Sequence, residues 1–89
     1  MDENTIQFRQ EFKAKLIEWL SLEGKKPEDI DDEQALFKEG LGLDSLDAVE
    51  IVIALQREYG IPQTAIENKR EIFATFATLA DFVQKNRTI

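Results

Sequence analysis

Two apolar stripes run along one segment near the middle of the chain, residues 45–59. Gly42 precedes the segment, Asp44 or Ser45 can cap its start and Gly60 can end it, so the sequence predicts a helix here. At about 100° per residue, one stripe forms the face that a helix turns to its core: Ala48, Ile51, Val52, Leu55 and Tyr59. The other stripe lies on nearly the opposite side: Leu46, Val49 and Ile53. One apolar face can anchor a helix in a small domain, so the second stripe is a candidate binding surface.

A first helix is predicted by apolar residues that recur every three or four positions, beginning at Phe8. Asn4 or Thr5 is the expected cap, and the helix is expected to run to about Leu22 before Gly24 ends it.

The last helix is expected to begin at Thr78, with Asp81 as the acidic member of a capping box. Its expected inward residues are Leu79, Phe82 and Val83. We expect residues 84–89 to fray, because chain ends are poorly ordered unless they are tied down.

The connection from Gly24 to Leu43 is long and polar, which is unusual in a compact domain unless the loop is pinned or functional. Residues 33–37 could form a helical turn within it. The apolar residues that could pin the loop are Ile30, Leu36, Phe37, Leu41 and Leu43. After the turn that Gly60 and Pro62 favour, residues 66–76 are expected to form a short helix with ragged ends.

The expected fold is therefore all-α: a small bundle of three main helices plus one short helix, with a long loop between the first and second helices. At 89 residues the chain is expected to form a single domain, residues 1–89, with an ordered core of about 5–85, and to act as a monomer. The candidate core or cavity residues are Phe12, Leu16, Val52, Leu55, Phe73, Phe76 and Phe82.

Composition narrows the possible functions. The chain has 18 acidic and 11 basic residues and a net charge of −7, so nucleic acids and anionic lipid surfaces are unlikely partners and basic protein surfaces are favoured. It has no Cys and no His, which excludes an intrinsic thiol or imidazole mechanism. The acidic start does not resemble a signal peptide, and no apolar run approaches the length of a membrane span, so we expect a cytoplasmic protein without membrane insertion.

An acidic run within the long connection invites comparison with calcium loops. An EF-hand loop begun at Asp29 would place Gln34 where a Gly is needed and Gly40 where the bidentate Glu is needed. The spacing therefore favours a solvated acidic loop, formed by Asp29, Asp31, Asp32 and Glu33.

Ser45 is the candidate for chemistry, as a substrate and not as a catalyst. A serine hydroxyl is a weak nucleophile without an activating base, and the chain has no His and no Lys near Ser45 in sequence. A phosphate-linked group on Ser45 would lie at the positive end of the helix, where unpaired N–H groups favour negative charge. The plain alternative is that Ser45 or Asp44 serves only as the helix cap.

The segment Leu41-Gly42-Leu43-Asp44-Ser45-Leu46-Asp47-Ala48-Val49-Glu50 resembles the signature of the acyl carrier proteins, and a looser likeness extends from about Phe8 to Val83. The resemblance implies that a phosphopantetheinyl transferase uses coenzyme A to attach phosphopantetheine to Ser45. The thiol of that arm would carry acyl groups as thioesters to fatty-acid, polyketide or related biosynthetic enzymes. The protein itself would be non-catalytic.

The same resemblance implies a partner surface at Asp44, Leu46, Asp47, Val49, Glu50 and Ile53, which would meet basic docking surfaces on acyl-transferring and chain-elongating enzymes. Two alternatives stay open: an acidic helical adaptor with an unmodified Ser45, and an aminoacyl or peptidyl carrier. The chain also departs from the family pattern. Arg57 interrupts a run that is acidic in many fatty-acid carriers, which leaves the pathway open.

Overall fold

Four α-helices and two short 3-10 turns make up the described chain. The computed structural model describes residues 2–22, 24–36, 44–66 and 70–88, and only the backbone of Ser45 and Arg70. The helices are α1 (Glu3–Leu20), α2 (Ser45–Tyr59), α3 (Gln63–Ile66) and α4 (Phe76–Asn86), and the 3-10 turns are Pro27–Asp29 and Arg70–Phe73. The prediction of an all-α fold with three main helices, one short helix and a long first connection is confirmed.

Both ends of α1 differ from the sequence prediction. Asp2, not Asn4 or Thr5, is the N-cap, because its carboxylate accepts a hydrogen bond from the Thr5 N–H at 2.8 Å. The helix ends before Gly24, because Ser21 adopts the left-handed conformation with φ of 52°. The Leu22 N–H then bonds the Ile17 carbonyl at 3.0 Å, as in a Schellman motif, and the partly buried Leu22 side chain packs against the core.

The core lies between α1, α2 and α4 and is rich in aromatic rings. The Phe12 ring lies within about 6 Å of four other rings: Phe8, Trp19, Tyr59 and Phe76. Five of the seven core candidates are buried: Phe12, Leu16, Leu55, Phe76 and Phe82. Val52 and Phe73 are only partly buried, because they lie at the margin of the core rather than inside it.

The long connection is pinned to the start of α4. Ile30 and Leu36 are buried as predicted, whereas Phe37, Leu41 and Leu43 lie outside the described residues. Ala35 pairs with Thr75 in an isolated antiparallel bridge. The helical turn expected at residues 33–37 is not seen in its described part, residues 33–36, where the Gln34 N–H instead bonds the Asp31 carbonyl at 3.0 Å in a turn that begins earlier.

Contacts from this connection place the start of α4 earlier than predicted. The carbonyls of Gln34 and Asp32 accept hydrogen bonds from the N–H groups of Phe76 and Ala77, at 3.1 and 2.7 Å. Thr75 is the N-cap and its hydroxyl accepts from the Thr78 N–H, so Thr78 is a partner of the cap and not the cap itself. The expected capping box of Thr78 and Asp81 is therefore wrong.

An ion cluster joins the connection to α1. Asp32 accepts hydrogen bonds from Arg9 at 2.8 Å and from Lys13 at 2.6 Å, and the Lys13 side chain is only 8% exposed. The expectation that Asp32 belongs to a solvated acidic loop is wrong, because these two cations lie on the face of α1 that the loop covers.

Between α2 and α4 the chain is less regular than predicted. Gly60 ends α2 in the left-handed conformation, with φ of 67°, as expected. The single short helix predicted at residues 66–76 is instead α3 and a separate 3-10 turn, and residues 67–69 lie outside the described residues. A helical turn can start at Gln63 because the Pro62 carbonyl accepts the Ala65 N–H at 3.0 Å.

The carboxyl-terminal residues do not fray as predicted, at least as far as Thr88. The α4 helix continues to Asn86, and the Thr88 N–H bonds the Tyr59 carbonyl at 2.9 Å. The Arg87 guanidinium lies over the rings of Phe8 and Tyr59, at 5.5 and 5.2 Å from their centroids. These contacts tie the segment to the end of α2.

Candidate functional site

Asp44 caps the start of α2. Its Oδ1 accepts hydrogen bonds from the N–H groups of Leu46 and Asp47, at 3.0 and 3.1 Å, and the Asp47 carboxylate accepts from the Asp44 N–H at 3.0 Å. This reciprocal pair is a capping box. Of the two cap candidates, the structure therefore assigns the role to Asp44, and Ser45 is the first residue of the helix.

The same hydrogen bonds change the expected electrostatics of the site. The N–H groups of Leu46 and Asp47 are not open to a phosphate, because the Asp44 carboxylate already occupies them. Two carboxylates in the first turn also offset the positive end of the helix. The expectation that unpaired N–H groups at the start of α2 attract a phosphate is thus wrong for the N–H groups of Leu46 and Asp47. A phosphate at the start of α2 would need a covalent bond to hold it.

The second apolar stripe lies on the surface. The exposed fractions of Leu46, Val49 and Ile53 are 75%, 55% and 53%, which is high for three large apolar side chains on one helix. Asp44 and Glu50 beside them are exposed, and Asp47 is half-buried. The structure thus brings the six predicted surface residues onto the first nine residues of α2 and its cap.

The opposite side of α2 faces the core. Ile51 and Leu55 are fully buried, and Ala54, which the stripe prediction omitted, is 2% exposed. Ala48 and Val52 were expected in the core but are only partly covered, because both line a groove beside α3. The predicted core face of α2 is therefore correct for Ile51 and Leu55 at its centre and wrong for Ala48 and Val52 at one edge.

Two open grooves flank the exposed stripe. The first, groove B, has a volume of about 330 Å³, and the described residues that line it carry no charge: Ala48, Val49, Val52, Ile53, Gln56 and Gln63. The second, groove A, has a volume of about 240 Å³ and lies between α1 and α2: Trp19, Glu50, Ile53, Ala54 and Arg57. Of the candidate core or cavity residues, Val52 lines groove B. The sequence prediction missed Trp19 and Gln63 as groove residues because both lie outside α2.

Two other classes of site are not seen in the described part of the chain. Residues 2–22, 24–36, 44–66 and 70–88 contain no group of acidic side chains that could hold a metal ion. Among the same residues, no helix is both long enough and apolar enough to cross a membrane.

A protein-family model described as a phosphopantetheine attachment site matches residues 10–85. The match covers most of the chain and includes all of α2. The described residues fit such a group: Asp44 and Leu46, the neighbours of Ser45, are both exposed, and groove B begins one helical turn further on, at Ala48 and Val49. The chain therefore belongs to the phosphopantetheine-binding carrier family, and phosphopantetheine is its covalent prosthetic group.

Proposed function

We propose that Ser45 is the attachment residue and that the protein carries acyl groups. The observation that carries the proposal is the cap at the start of α2. Asp44 fills that role, so the helix does not need the Ser45 hydroxyl, and the residues on both sides of Ser45 are exposed. A transferase could therefore reach this position without unfolding the helix.

The chemistry of attachment would come from the transferase. Ser45 Oγ would attack the phosphorus that bears the pantetheine arm of coenzyme A, so that a phosphodiester bond forms on Ser45 while the pyrophosphate bond breaks and adenosine 3′,5′-bisphosphate leaves. The hydroxyl proton would pass to a base on the transferase, since this chain has no His. Once bound, the group supplies the thiol that carries acyl groups as thioesters. The chain has no Cys of its own, and carrier domains of this family are typically non-catalytic.

The exposed face of α2 would dock onto basic surfaces of partner enzymes. Leu46, Val49 and Ile53 offer apolar area, and Asp44, Asp47 and Glu50 place negative charge around it. The net charge of −7 would speed encounter with basic partners more than it would strengthen the final complex, and added salt would weaken this effect. The proposed partners are the transferase and the enzymes that transfer and elongate acyl chains.

The lining of groove B supports acyl cargo over aminoacyl cargo. Its apolar residues and two glutamines carry no charge. An aminoacyl group has an ammonium that would lose hydration there without gaining a carboxylate from the described part of the lining. A neutral acyl chain would lose only apolar contact with water.

Intact-mass spectrometry tests the proposal. The protein is incubated with coenzyme A and a promiscuous phosphopantetheinyl transferase, and we expect the addition of one phosphopantetheinyl group. Ser45→Ala should abolish the addition. Ser21→Gly is the matched control, because Ser21 is the other serine of the chain and its φ of 52° suits glycine, so this variant should fold and be modified.

Two outcomes would overturn the assignment: folded wild-type protein that gains no mass, or Ser45→Ala that gains it. An unmodified wild type would favour the adaptor alternative. Loading the modified protein with acyl and aminoacyl groups by their respective enzymes would then test the choice of cargo.

A further inference from the structure

Groove A differs from groove B in having charges at its ends. Glu50 and Arg57 both line it, and they lie seven residues apart on α2, which places them on one helix face about 10.5 Å apart along the axis. Glu50 is nearer to Ser45 and Arg57 is farther from it. Ile53 lies between them and also lines groove B, so it forms the ridge that separates the two grooves.

Trp19 gives groove A a rigid aromatic wall. Its ring packs edge to face against Phe12 and Tyr59, with centroid distances of 6.0 and 6.2 Å and an interplanar angle of 77° in each pair. The side chain is nonetheless only partly buried. A tryptophan already held in place loses little conformational freedom on binding, and tryptophan is enriched among the residues that dominate protein interfaces.

Arg57 can exchange its present ion pair for one with a partner. Its side chain is 68% exposed and its Nε lies 3.6 Å from Glu58, whose carboxylate also lies 3.6 Å from Lys15. Long, exposed ion pairs of this kind contribute little to stability. A carboxylate brought into groove A could therefore compete for the Arg57 guanidinium.

We propose that groove A, which shares Glu50 and Ile53 with the proposed docking face of α2, is a further docking site that binds a segment of a partner protein with mixed charge. The segment has a large apolar side chain that packs on Trp19, a basic group that meets Glu50 and a carboxylate that meets Arg57. This inference rests on the proposed function, because the charge order would fix the direction in which the partner lies relative to Ser45. Arg57 would also disfavour partners whose docking segment is uniformly basic.

Three short helical peptides test the proposal. Each peptide has a central Phe between two charged residues that lie seven positions apart. The charged residues are Lys and Glu in the first peptide, two Lys in the second and two Glu in the third. Binding is followed by the fluorescence of Trp19, the one tryptophan of the chain, at physiological ionic strength. We expect the Lys/Glu peptide to bind wild type about three-fold more tightly than either other peptide. Each of the other two peptides replaces one attractive, exposed charge contact with a repulsive one.

Net charge alone predicts a different order. A chain with charge −7 would bind the Lys/Lys peptide most tightly, and that result would overturn the proposal. Absence of any fluorescence change with the Lys/Glu peptide at millimolar concentration would overturn it as well. A spin label at the Lys end of that peptide should broaden the amide signal of Glu50 more than that of Arg57, and the reverse pattern would contradict the direction.

Two variants separate the local effect of Arg57 from net charge. Arg57→Glu should shift the preference to the Lys/Lys peptide. Lys85→Glu changes the net charge equally at an exposed site on α4, and it should keep the preference for the Lys/Glu peptide. An identical shift in both variants would overturn the docking site.

Modification of wild-type Ser45 is measured separately. If Ser45 is modified but the peptides are not distinguished as expected, only the docking site is wrong. If the peptides are distinguished but Ser45 is not modified, the groove remains a protein-binding site and the proposed carrier function is wrong.

Discussion

Asp32 connects the long loop to α1 through two cations. Burial alone would raise the pKa of its carboxyl group, but hydrogen bonds from Lys13 and Arg9 outweigh burial and lower that pKa below the ordinary value of 3.8. Lys13 depends on this pair, because its side chain is 8% exposed and its ammonium lies 5.3 Å from the centroid of the Phe76 ring. The Asp32 carboxylate therefore links the loop directly to α1 and, through Lys13, to Phe76 of α4.

Asp32→Asn should lower the free energy of unfolding by about 2–3 kcal/mol, because it leaves the nearly buried Lys13 ammonium without its counter-charge. Urea unfolding at neutral pH measures this. Glu28→Gln removes the same charge from an exposed position on the loop and should change stability by less than about 0.5 kcal/mol. Equal losses in the two variants would show that the ion cluster contributes nothing specific.

The lowered pKa of Asp32 also predicts a pH dependence. A carboxyl whose pKa is lower in the folded state stabilises that state above its unfolded pKa, and this contribution is lost as the pH falls through the folded value. The stability difference between wild type and Asp32→Asn should therefore be largest at neutral pH and shrink below about pH 3.8. A difference that stays constant from pH 7 to pH 3 would show that protonation of Asp32 does not matter.

At the level of the helices, an aspartate and not a serine caps the helix that begins at the proposed attachment residue. Asp44 holds the start of α2 with its side chain and Asp47 returns the contact, so the helix begins at Ser45 without help from a serine hydroxyl. Because these two carboxylates also border the exposed stripe, they have two separable contributions, one to helix stability and one to charge.

Two substitutions at Asp44 separate its contribution to helix stability from its contribution to surface charge. Asp44→Ala should destabilise the protein by about 1 kcal/mol through loss of the cap, whereas Asp44→Asn keeps the cap and should cost only a few tenths of a kcal/mol. Both remove one charge, so both should slow phosphopantetheine transfer at low salt. Chemical denaturation and initial rates of mass gain check the two effects. A slow rate for Asp44→Ala alone would assign the effect to the cap.

The helices themselves were predictable from sequence because their apolar periodicity is a local property. The N-cap of α4 was not, because the hydrogen bonds that place it at Thr75 come from Asp32 and Gln34, more than forty residues away in sequence. The ion cluster of Asp32 and the contacts of Thr88 could not be predicted either, because they also join residues that are far apart in sequence. At the site, the exposed stripe on α2 followed from periodicity, whereas Trp19 entered groove A only through packing of α1 against α2.

Taken over the full bundle, stability and the proposed docking depend on opposite sides of α2. Ile51 and Leu55 are fully buried among the rings of the core, while Val49 is 55% exposed. An 89-residue domain has little stability in reserve, so a single cavity on the buried side removes a large part of it. The exposed side can vary without that penalty.

Leu55→Ala should therefore destabilise the protein by about 2–5 kcal/mol, whereas Val49→Ala should change stability by less than about 0.5 kcal/mol. Thermal or urea unfolding followed by circular dichroism measures both. Val49→Ala should nevertheless slow transfer of an acyl group to a partner enzyme, since it removes apolar area from the proposed docking face. If Val49→Ala unfolds as readily as Leu55→Ala, the assignment of the two faces is wrong.

The contacts of Thr88 with Tyr59 and Gly60 also determine where anything attached after this residue leaves the protein. The Thr88 N–H donates to the carbonyl of Tyr59, the last residue of α2, and the Thr88 hydroxyl donates to the carbonyl of Gly60, the C-cap. Ser45 begins the same helix about 21 Å from Tyr59 along its axis. An affinity handle or a sensor-chip anchor joined at this end would therefore emerge far from the proposed attachment residue. Immobilisation through this end should therefore place Ser45 at the end of α2 that lies away from the support.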